Sequence, residues 1–213
     1  MTTVHFGTPQ YPETQLTPYR SLIRVTQPLV EPVTLRQAKS HCRVDASDSD
    51  AYIASLISTA REYVENQLDT TLVTTVWQAR YDGFPLWPLL LPRPPMAAAN
   101  VTVTYKDVAA STQTITSAGN DFLVDEKAIP GRILPQYNGN WPVPRGDEGC
   151  VTVQWTAGYG DSGESVPPTI KHIILLLVGA WFSSREPFAQ GAMNPVPLTV
   201  ETLMAHAGWG GYR

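Results

Sequence analysis

The chain has 213 residues, a formal net charge of −4 and a hydrophobic content of 43%, with 16% charged residues. These values are typical of a folded globular protein and exclude disorder throughout. The negative net charge and the lack of any cluster of four or more Lys and Arg residues also argue against a protein that binds nucleic acid tightly by neutralising phosphates. The two cysteines, Cys42 and Cys150, lie far apart in sequence. They therefore do not predict a disulfide scaffold, and a reducing compartment is expected.

The N-terminal part, residues 1–31, predicts an extended arm. It contains four prolines and scattered apolar residues that follow neither the strand period nor the helix period. It also lacks the basic start and the apolar run of a signal peptide. We expect such a segment either to be disordered or to be bound to another molecule.

A first helix is predicted over about residues 34–43. Thr34 and Gln37 have the spacing of a capping box, in which each of the two side chains bonds the backbone N–H of the other residue. Leu35, Ala38 and Cys42 then share one face of this helix.

A second helix is predicted over about residues 48–69, and Ser47 and Asp50 have the spacing of another capping box at its start. Its apolar residues recur on one stripe, which predicts burial of that side. The stripe consists of Tyr52, Ile53, Leu56, Ile57, Ala60, Tyr63, Val64 and Leu68, and the opposite polar side consists of Ser55, Glu62, Glu65, Asn66 and Asp69.

Between residues 72 and 157 the apolar pattern changes to alternation, which predicts β-strands rather than helices. The prolines between residues 92 and 95 would stop a central strand there. We therefore expect a small antiparallel sheet inserted between the second and third helices. The strongest strand segments are 74–81, 101–105 and 151–155, and shorter ones are 112–116, 122–124 and 132–134.

The most apolar segment, residues 173–182, contains no charged residue. Pro167 and Pro168 suit the first turn of a helix and Pro187 ends it, so a third helix is predicted over about residues 168–186. The uncharged segment is too short to cross a bilayer, which requires about 20 residues. We expect this helix to be buried on all sides.

A fourth helix is predicted over about residues 198–207, where Val200 and Leu203 share one face and Gly208 can end the helix. The tail, residues 208–213, is small, aromatic and basic. This composition fits a docking peptide and a frayed terminus equally well.

Three patterns resemble functional motifs but lack the required context. Residues 158–163 match the letters of the dinucleotide-binding fingerprint, but two prolines remove N–H donors where a phosphate would bind. The same segment and His41 resemble parts of a trypsin-like protease site, yet no acid is placed to orient the histidine. Residues 45–50 have EF-hand spacing but lack the glycine and the bidentate Glu. The sequence therefore predicts no catalytic residue, cofactor or metal.

One enzymatic alternative remains open in the β region. Asp121, Asp125 and Glu126 could form an unrecognised site, although their position near Gly119 and Pro130 favours solvated turns. A pocket lined by two of these acids with shifted pKa values would support catalysis.

Several ordered segments carry a family resemblance. They are Glu31–Leu35, Asp48–Ile53, Ala60–Glu65, Leu91–Pro95, Thr156–Gly160, Val166–Lys171 and Ser184–Glu186. In this order they resemble the head-tail connector, or adaptor, proteins of long-tailed bacteriophages and of related gene transfer agents. The resemblance covers about residues 31–207 and leaves the N-terminal arm outside.

The resemblance implies an α+β fold in which a small bundle of about four helices carries an inserted antiparallel β region, with extended N- and C-terminal arms. The expected organisation is an arm over residues 1–31, a single connector domain over residues 32–207 and a docking tail over residues 208–213.

The resemblance also implies a structural virion protein and not an enzyme. Such proteins form a ring, expected to be a dodecamer, that binds the portal protein, extends the DNA channel and receives tail-side neck, stopper or tail-completion proteins. DNA would pass without specific binding and no membrane would be involved. The protein would occupy the virion neck after assembly in the host cytoplasm. Another neck or tail-completion protein is the alternative.

Candidate partner-binding residues follow from the same expectation, since aromatic and Arg side chains are the usual anchors of interfaces. They lie in the tail and on the second helix and comprise Trp209, Tyr212, Arg213, Arg61, Glu62 and Glu65.

Overall fold

The computed structural model describes residues 19–85, 88–184 and 198–208, apart from the side chains of residues 98–100 and 198. Within these ranges the chain forms four α-helices and eight β-strands. The helices are α1 (Leu35–Cys42), α2 (Asp50–Leu68), α3 (Pro168–Ser183) and α4 (Leu198–Ala207). The strands are β1 (Ser21–Arg24), β2 (Thr75–Tyr81), β3 (Leu89–Leu91), β4 (Met96–Lys106), β5 (Thr112–Thr116), β6 (Phe122–Asp125), β7 (Gly131–Pro135) and β8 (Val151–Ala157).

The helices and the strands build two separate hydrophobic cores. In the helical core, Ile57 and Val64 of α2 share a cluster with Ile173 and Leu177 of α3. The second core lies in the β region. Because β2 to β8 lie between α2 and α3 in sequence, the predicted α+β fold with an inserted β region is confirmed.

The β region contains two antiparallel sheets, where the sequence predicted one. The larger has the strand order β1-β2-β8-β4-β5 and the smaller has the order β3-β7-β6. Trp77 and Val153 of the larger sheet share a core with Leu89, Phe122 and Ile133 of the smaller sheet. β3 ends just before the prolines and lies at a sheet edge, where the loss of N–H donors to proline is tolerated.

Strand β1 lies within residues 1–31, which were predicted to be an unpacked arm, and this part of the prediction is wrong. β1 pairs with β2 at the edge of the larger sheet. Arg20, just before β1, donates from Nε to Asp82 Oδ2 at 2.6 Å. The backbone N–H of Gly149 and the guanidinium of Arg20 together hold the pKa of Asp82 below its usual value. Residues 1–18 lie outside the described residues.

Helix α1 begins with the predicted capping box. Thr34 Oγ1 accepts from the N–H of Gln37 at 3.2 Å, and Gln37 Oε1 accepts from the N–H of Thr34 at 2.9 Å. The helix ends at Cys42, and the C-cap residue Arg43 has a left-handed backbone conformation in which its N–H donates to the carbonyls of Lys39 and Ser40. Local sequence therefore fixes both ends of this short helix.

Replacing Thr34 with alanine is expected to lower the free energy of unfolding by about 1 kcal/mol, because the backbone N–H of Gln37 loses its side-chain acceptor. Urea unfolding followed by circular dichroism measures the change. Ser40→Ala on the exposed side of the same helix is the matched control and should be close to neutral. Equal effects of the two substitutions would contradict the assignment of Thr34 as the cap.

Helix α2 does not begin with the second predicted capping box, and that prediction is wrong. The helix starts at Asp50 with Ser49 as its N-cap, and the Ser49 side chain makes no capping bond. The Asp50 carboxylate instead accepts from Lys39 Nζ of α1 at 2.6 Å. The Asp50 side chain, which was expected to cap the start of α2, therefore forms an ion pair with the neighbouring helix α1.

Helix α3 is less completely buried than its composition suggests. The structure buries Ile170, Ile173, Ile174, Leu177 and Val178. Leu175, Leu176, Trp181 and Phe182 are only partly covered, so the expectation of burial on all sides is wrong for the described residues. The helix ends at Ser183, before the predicted boundary at residue 186, and the segment 185–197 lies outside the described residues.

Candidate functional site

A buried ion-pair network joins α2 to the larger sheet, and Glu65 is its centre. Glu65 is 1% exposed. Its Oε2 accepts from Arg24 Nη2 of β1 at 2.6 Å and from Arg61 Nη1 at 3.0 Å. Its Oε1 accepts from the backbone N–H of Leu72 at 3.0 Å. The carboxylate therefore has three donors, which is the condition under which a buried charge is stable.

Arg61 extends the network to the segment that precedes α1. Its Nε donates to Glu31 Oε2 at 2.8 Å, while its Nη1 donates to Glu65. Burial by itself would lower the pKa of Arg61, but the carboxylates of Glu31 and Glu65 outweigh it, so the pKa is raised and the side chain stays charged. Arg61 thus connects Glu31, which precedes α1, to the middle of α2.

Aromatic and backbone contacts also connect α2 to the larger sheet. Arg24 and Arg93 both lie over the ring of Trp77, with guanidinium carbons 4.9 and 5.3 Å from its centre. Arg93 Nη1 also donates to the carbonyl of Glu65 at 2.9 Å, and Trp77 Nε1 donates to Thr71 Oγ1 at 2.9 Å. Guanidinium groups over an indole face gain cation–π attraction in addition to their hydrogen bonds. Ion pairs, cation–π contacts and hydrogen bonds to the backbone therefore act together to hold α2 against the larger sheet.

These contacts change the interpretation of two candidate partner-binding residues, Arg61 and Glu65. Glu65 was placed on the exposed polar side of α2, and this is wrong because it is buried, as is Arg61. Both side chains bond to groups of the same chain. Glu62 is exposed, and its partner-binding role stays a prediction. Trp209, Tyr212 and Arg213 lie outside the described residues, so their role stays a prediction as well.

Two of the three acids of the enzymatic alternative, Asp121 and Asp125, have structural partners. Asp125 pairs with Arg132 at 2.8 Å, and this side-chain contact holds the pKa of Asp125 below its usual value. Asp121 Oδ2 accepts from the N–H of Thr116 at 2.8 Å. Both arrangements stabilise the turns of the β region, as the solvated-turn interpretation requires, and a lowered pKa opposes use of Asp125 as a general acid.

The glycine-rich segment 158–163 forms backbone hydrogen bonds with residues 72–74. Tyr159 N–H donates to the carbonyl of Leu72, and Thr74 N–H donates to the carbonyl of Gly160. A Cβ on Gly158 would lie 2.6 Å from the backbone nitrogen of Thr74, so this position requires glycine. The segment follows a strand of an antiparallel sheet, which is not the parallel βαβ context of a dinucleotide site.

In the parts of the chain that the structure describes, no group of three or more His, Cys, Asp or Glu side chains is placed to hold a metal ion. No helix within the same ranges has the length and apolar content that crossing a membrane requires.

Two exposed apolar surfaces were not predicted from the sequence. One is the segment after β1, where Leu29 is 97% exposed. The other is the outer face of the smaller sheet, where Leu123 is 45% exposed. Sequence patterns missed both surfaces, because the first follows no period and the second alternates in strands of only three to five residues.

Comparison with known proteins gives one family and one group of structures. Residues 32–117 match the model of the family described as phage gp6-like head-tail connector protein. This range contains α1, α2 and the strands from β2 to β5. No curated protein matches the chain.

Three similar solved structures come from gene transfer agent (GTA) particles. One, the neck of an empty GTA particle computed with C6 symmetry, has a TM-score of 0.71 and covers 91% of this chain and 100% of its own. A chain from the virion of a native GTA particle has a TM-score of 0.69 and covers 89% and 98%. A third, from the neck of a native GTA particle computed with C12 symmetry, has a TM-score of 0.62 and covers 91% and 100%. All three are 20% identical to this chain, so they establish a shared fold.

The solved structures share the fold described above. The resemblance found in the sequence is thereby confirmed, because residues 32–117 match the family described as phage gp6-like head-tail connector protein.

Proposed function

We propose that this chain is a structural protein of the virion neck, where it connects the head of a tailed phage or gene-transfer particle to its tail. The observation that carries the proposal is the connector-family match over residues 32–117. The fold shared with GTA neck structures over nine-tenths of the chain supports it. The use of Asp121 and Asp125 as structural partners also favours a structural role over an enzymatic one.

The working form is a ring of twelve subunits bound below the portal protein. Support comes from the similar neck structures, which were computed with C6 and C12 symmetry. The ring would extend the DNA channel and present a surface to tail-side neck, stopper or tail-completion proteins. A net charge of −4 suits a channel that lets DNA pass without binding it tightly.

Particles that lack this protein test the proposal. Electron microscopy should show DNA-filled heads without tails, since the resemblance to connector proteins implies that the ring attaches after DNA packaging. Mass measurement of the purified protein with and without portal protein should show a twelve-subunit ring on the portal. Tailed particles in the absence of the protein would refute the proposal, and tails that assemble but fail to be completed would favour a tail-completion protein.

The tail is proposed to dock on the portal, and its removal tests this point. Deleting residues 209–213 removes Trp209, Tyr212 and Arg213, and we expect portal binding to be lost because such side chains are common interface anchors. The circular dichroism spectrum should stay unchanged. A variant with the same five positions replaced by Gly and Ser is the matched control for length. Portal binding by both variants would exclude a docking role.

A further inference from the structure

Residues 20–31, which contain β1 and lead towards α1, contribute little to either hydrophobic core. We call them the N-terminal strap. None of these residues is buried, and Leu22 packs only partly against the core of the β region. By contrast, Pro32 and Val33, which follow the strap directly, are buried. Segments that bury little apolar surface open at a lower free energy than a packed core, so the strap has the burial of a separately opening unit.

Polar contacts take the place of apolar packing along the strap. Arg20 pairs with Asp82 at 2.6 Å, and both of these side chains are about half exposed. Further along, the N–H of Val25 donates to the carbonyl of Val76 at 2.8 Å, and the N–H of Val76 donates to Thr26 Oγ1 at 3.0 Å. Water can replace each of these partners when the strap leaves, so opening costs hydrogen bonds but little apolar burial.

Two ion pairs hold the strap to α2. Arg24 Nη2 lies 2.6 Å from Glu65 Oε2, and Glu31 Oε2 lies 2.8 Å from Arg61 Nε. The strap thus supplies one positive and one negative charge, and α2 supplies one of each. Removal of the strap therefore leaves the charges of Arg61 and Glu65 in balance.

Arg61 and Glu65 also keep hydrogen-bond partners without the strap. Arg61 Nη1 donates to Glu65 Oε2 at 3.0 Å, and the N–H of Leu72 donates to Glu65 Oε1 at 3.0 Å. Arg61 Nη2 lies 3.7 Å from Glu62 Oε1 as well. The large cost of breaking a buried ion pair comes from the unpaired charge that remains, and here none remains on α2.

The strap has a fixed base at its C-terminal end. The turn at Gly163 packs so closely that a Cβ there would lie 2.8 Å from the carbonyl oxygens of Glu31 and Pro32. Val33, two residues beyond the strap, is part of the helical core. Opening of the strap can therefore stop at its base and leave the helices in place.

We propose that the N-terminal strap opens and closes as one unit while the helices and the other strands stay folded. In the closed state the strap covers the edge of β2, and in the open state it frees the backbone N–H and C=O groups of that edge. Uncovered sheet edges pair readily with other strands, so closure also protects this edge. Opening of this kind requires only the single chain and not the proposed ring.

Hydrogen exchange of single amides in the wild-type chain, followed by NMR at low urea concentrations, tests separate opening. The Val25 amide reports on the strap, and the Val153 amide reports on β8, which lies between β2 and β4. We expect the Val25 amide to exchange at least about a hundredfold faster. Its rate should also depend less on urea, because opening of the strap exposes less surface than global unfolding. Equal rates with equal urea dependence would overturn the proposal.

Arg24→Glu should hold the strap open in the full-length chain. The new carboxylate repels Glu65, whereas Glu65 keeps Arg61 as its partner. We expect the protection of the Val25 amide to fall at least about a hundredfold, as for a broken buried pair, while the Val153 amide stays protected. Loss of protection at both amides would show that the strap is an integral part of the fold, and the proposal would be wrong.

Ile23→Glu is the matched control for Arg24→Glu. It places the same charge on the same strand, but Ile23 is exposed and makes no contact with the ion-pair network. The Val25 amide should keep its protection within about tenfold, as expected for a surface substitution. A loss equal to that of Arg24→Glu would mean that the ion pair with Glu65 does not hold the strap closed, which would also contradict the proposal.

A disulfide provides the opposite test by locking the strap closed. Ile23 and Gln78 are cross-strand partners, so Ile23→Cys combined with Gln78→Cys can join β1 to β2 on oxidation. In the oxidised chain the Val25 amide can exchange only when the sheet itself unfolds, and its rate and urea dependence should approach those of Val153. The reduced form of the same variant is the control and should behave as the wild type does. Fast exchange of Val25 in the oxidised chain would refute opening of the strap as one unit.

Discussion

Replacing Glu65 with alanine is expected to lower the free energy of unfolding by about 3–5 kcal/mol, the range found when one partner of a buried ion pair is removed. The substitution leaves two guanidinium groups with little access to water, since the side chains of Arg24 and Arg61 are 15% and 4% exposed. It also leaves the N–H of Leu72 without its acceptor. Thermal and urea unfolding, followed by circular dichroism, measure the loss.

Glu62 offers the matched control for Glu65, because it has the same side chain on the same helix and is exposed. Glu62→Ala should change the free energy of unfolding by less than about 0.5 kcal/mol. A double variant with Arg61→Met and Glu65→Leu should be more stable than Glu65→Ala, because it removes a buried charge along with its partner. If Glu65→Ala and Glu62→Ala change the free energy of unfolding by similar amounts, Glu65 is not the centre of the ion-pair network.

The helices could be predicted closely because their signals are local. The capping box of α1 requires only four consecutive residues, and the two prolines before α3 mark its start. The stripe of α2 repeats over five turns, so single exceptions do not disturb it. Such elements depend on backbone geometry that neighbouring residues determine, and their sequence therefore contains the information needed.

The burial of Glu65 could not be predicted from the same pattern. Helical periodicity places it beside polar residues, whereas the structure covers it with β1, whose Arg24 lies 41 residues earlier. β1 is itself only four residues long and its partner strand lies more than 50 residues later. Pairing of short strands that are so far apart in sequence depends on the completed fold, and no local sequence pattern predicts it.

The candidate binding residues show the same division between local and distant information. Composition singled out the tail with Trp209 and Tyr212, and that prediction can be tested by deletion. The exposed segment after β1 had no sequence pattern to identify it, since the exposure of Leu29 follows only from where β1 and α1 lie in the fold. In this chain, exposed apolar surfaces occur where ordered elements leave apolar side chains uncovered, and the sequence pattern does not predict which side chains these are.

Replacing Leu177 with alanine is expected to lower the free energy of unfolding by about 2–5 kcal/mol, the range for truncating a large side chain in a packed core. Leu177 is fully buried and lies where α3 packs in the helical core. The loss combines the transfer free energy of the removed carbon atoms with the cost of the cavity left behind. Urea unfolding of the purified variant measures it.

Leu176 provides the control for Leu177, because it is the preceding residue on the same helix, has the same side chain and is only partly covered. Leu176→Ala should cost clearly less, since fewer neighbours lose contact and water already reaches the side chain. The difference between the two variants therefore reports which side of α3 faces the core. Equal losses would mean that α3 is covered on both sides, as its composition alone suggested.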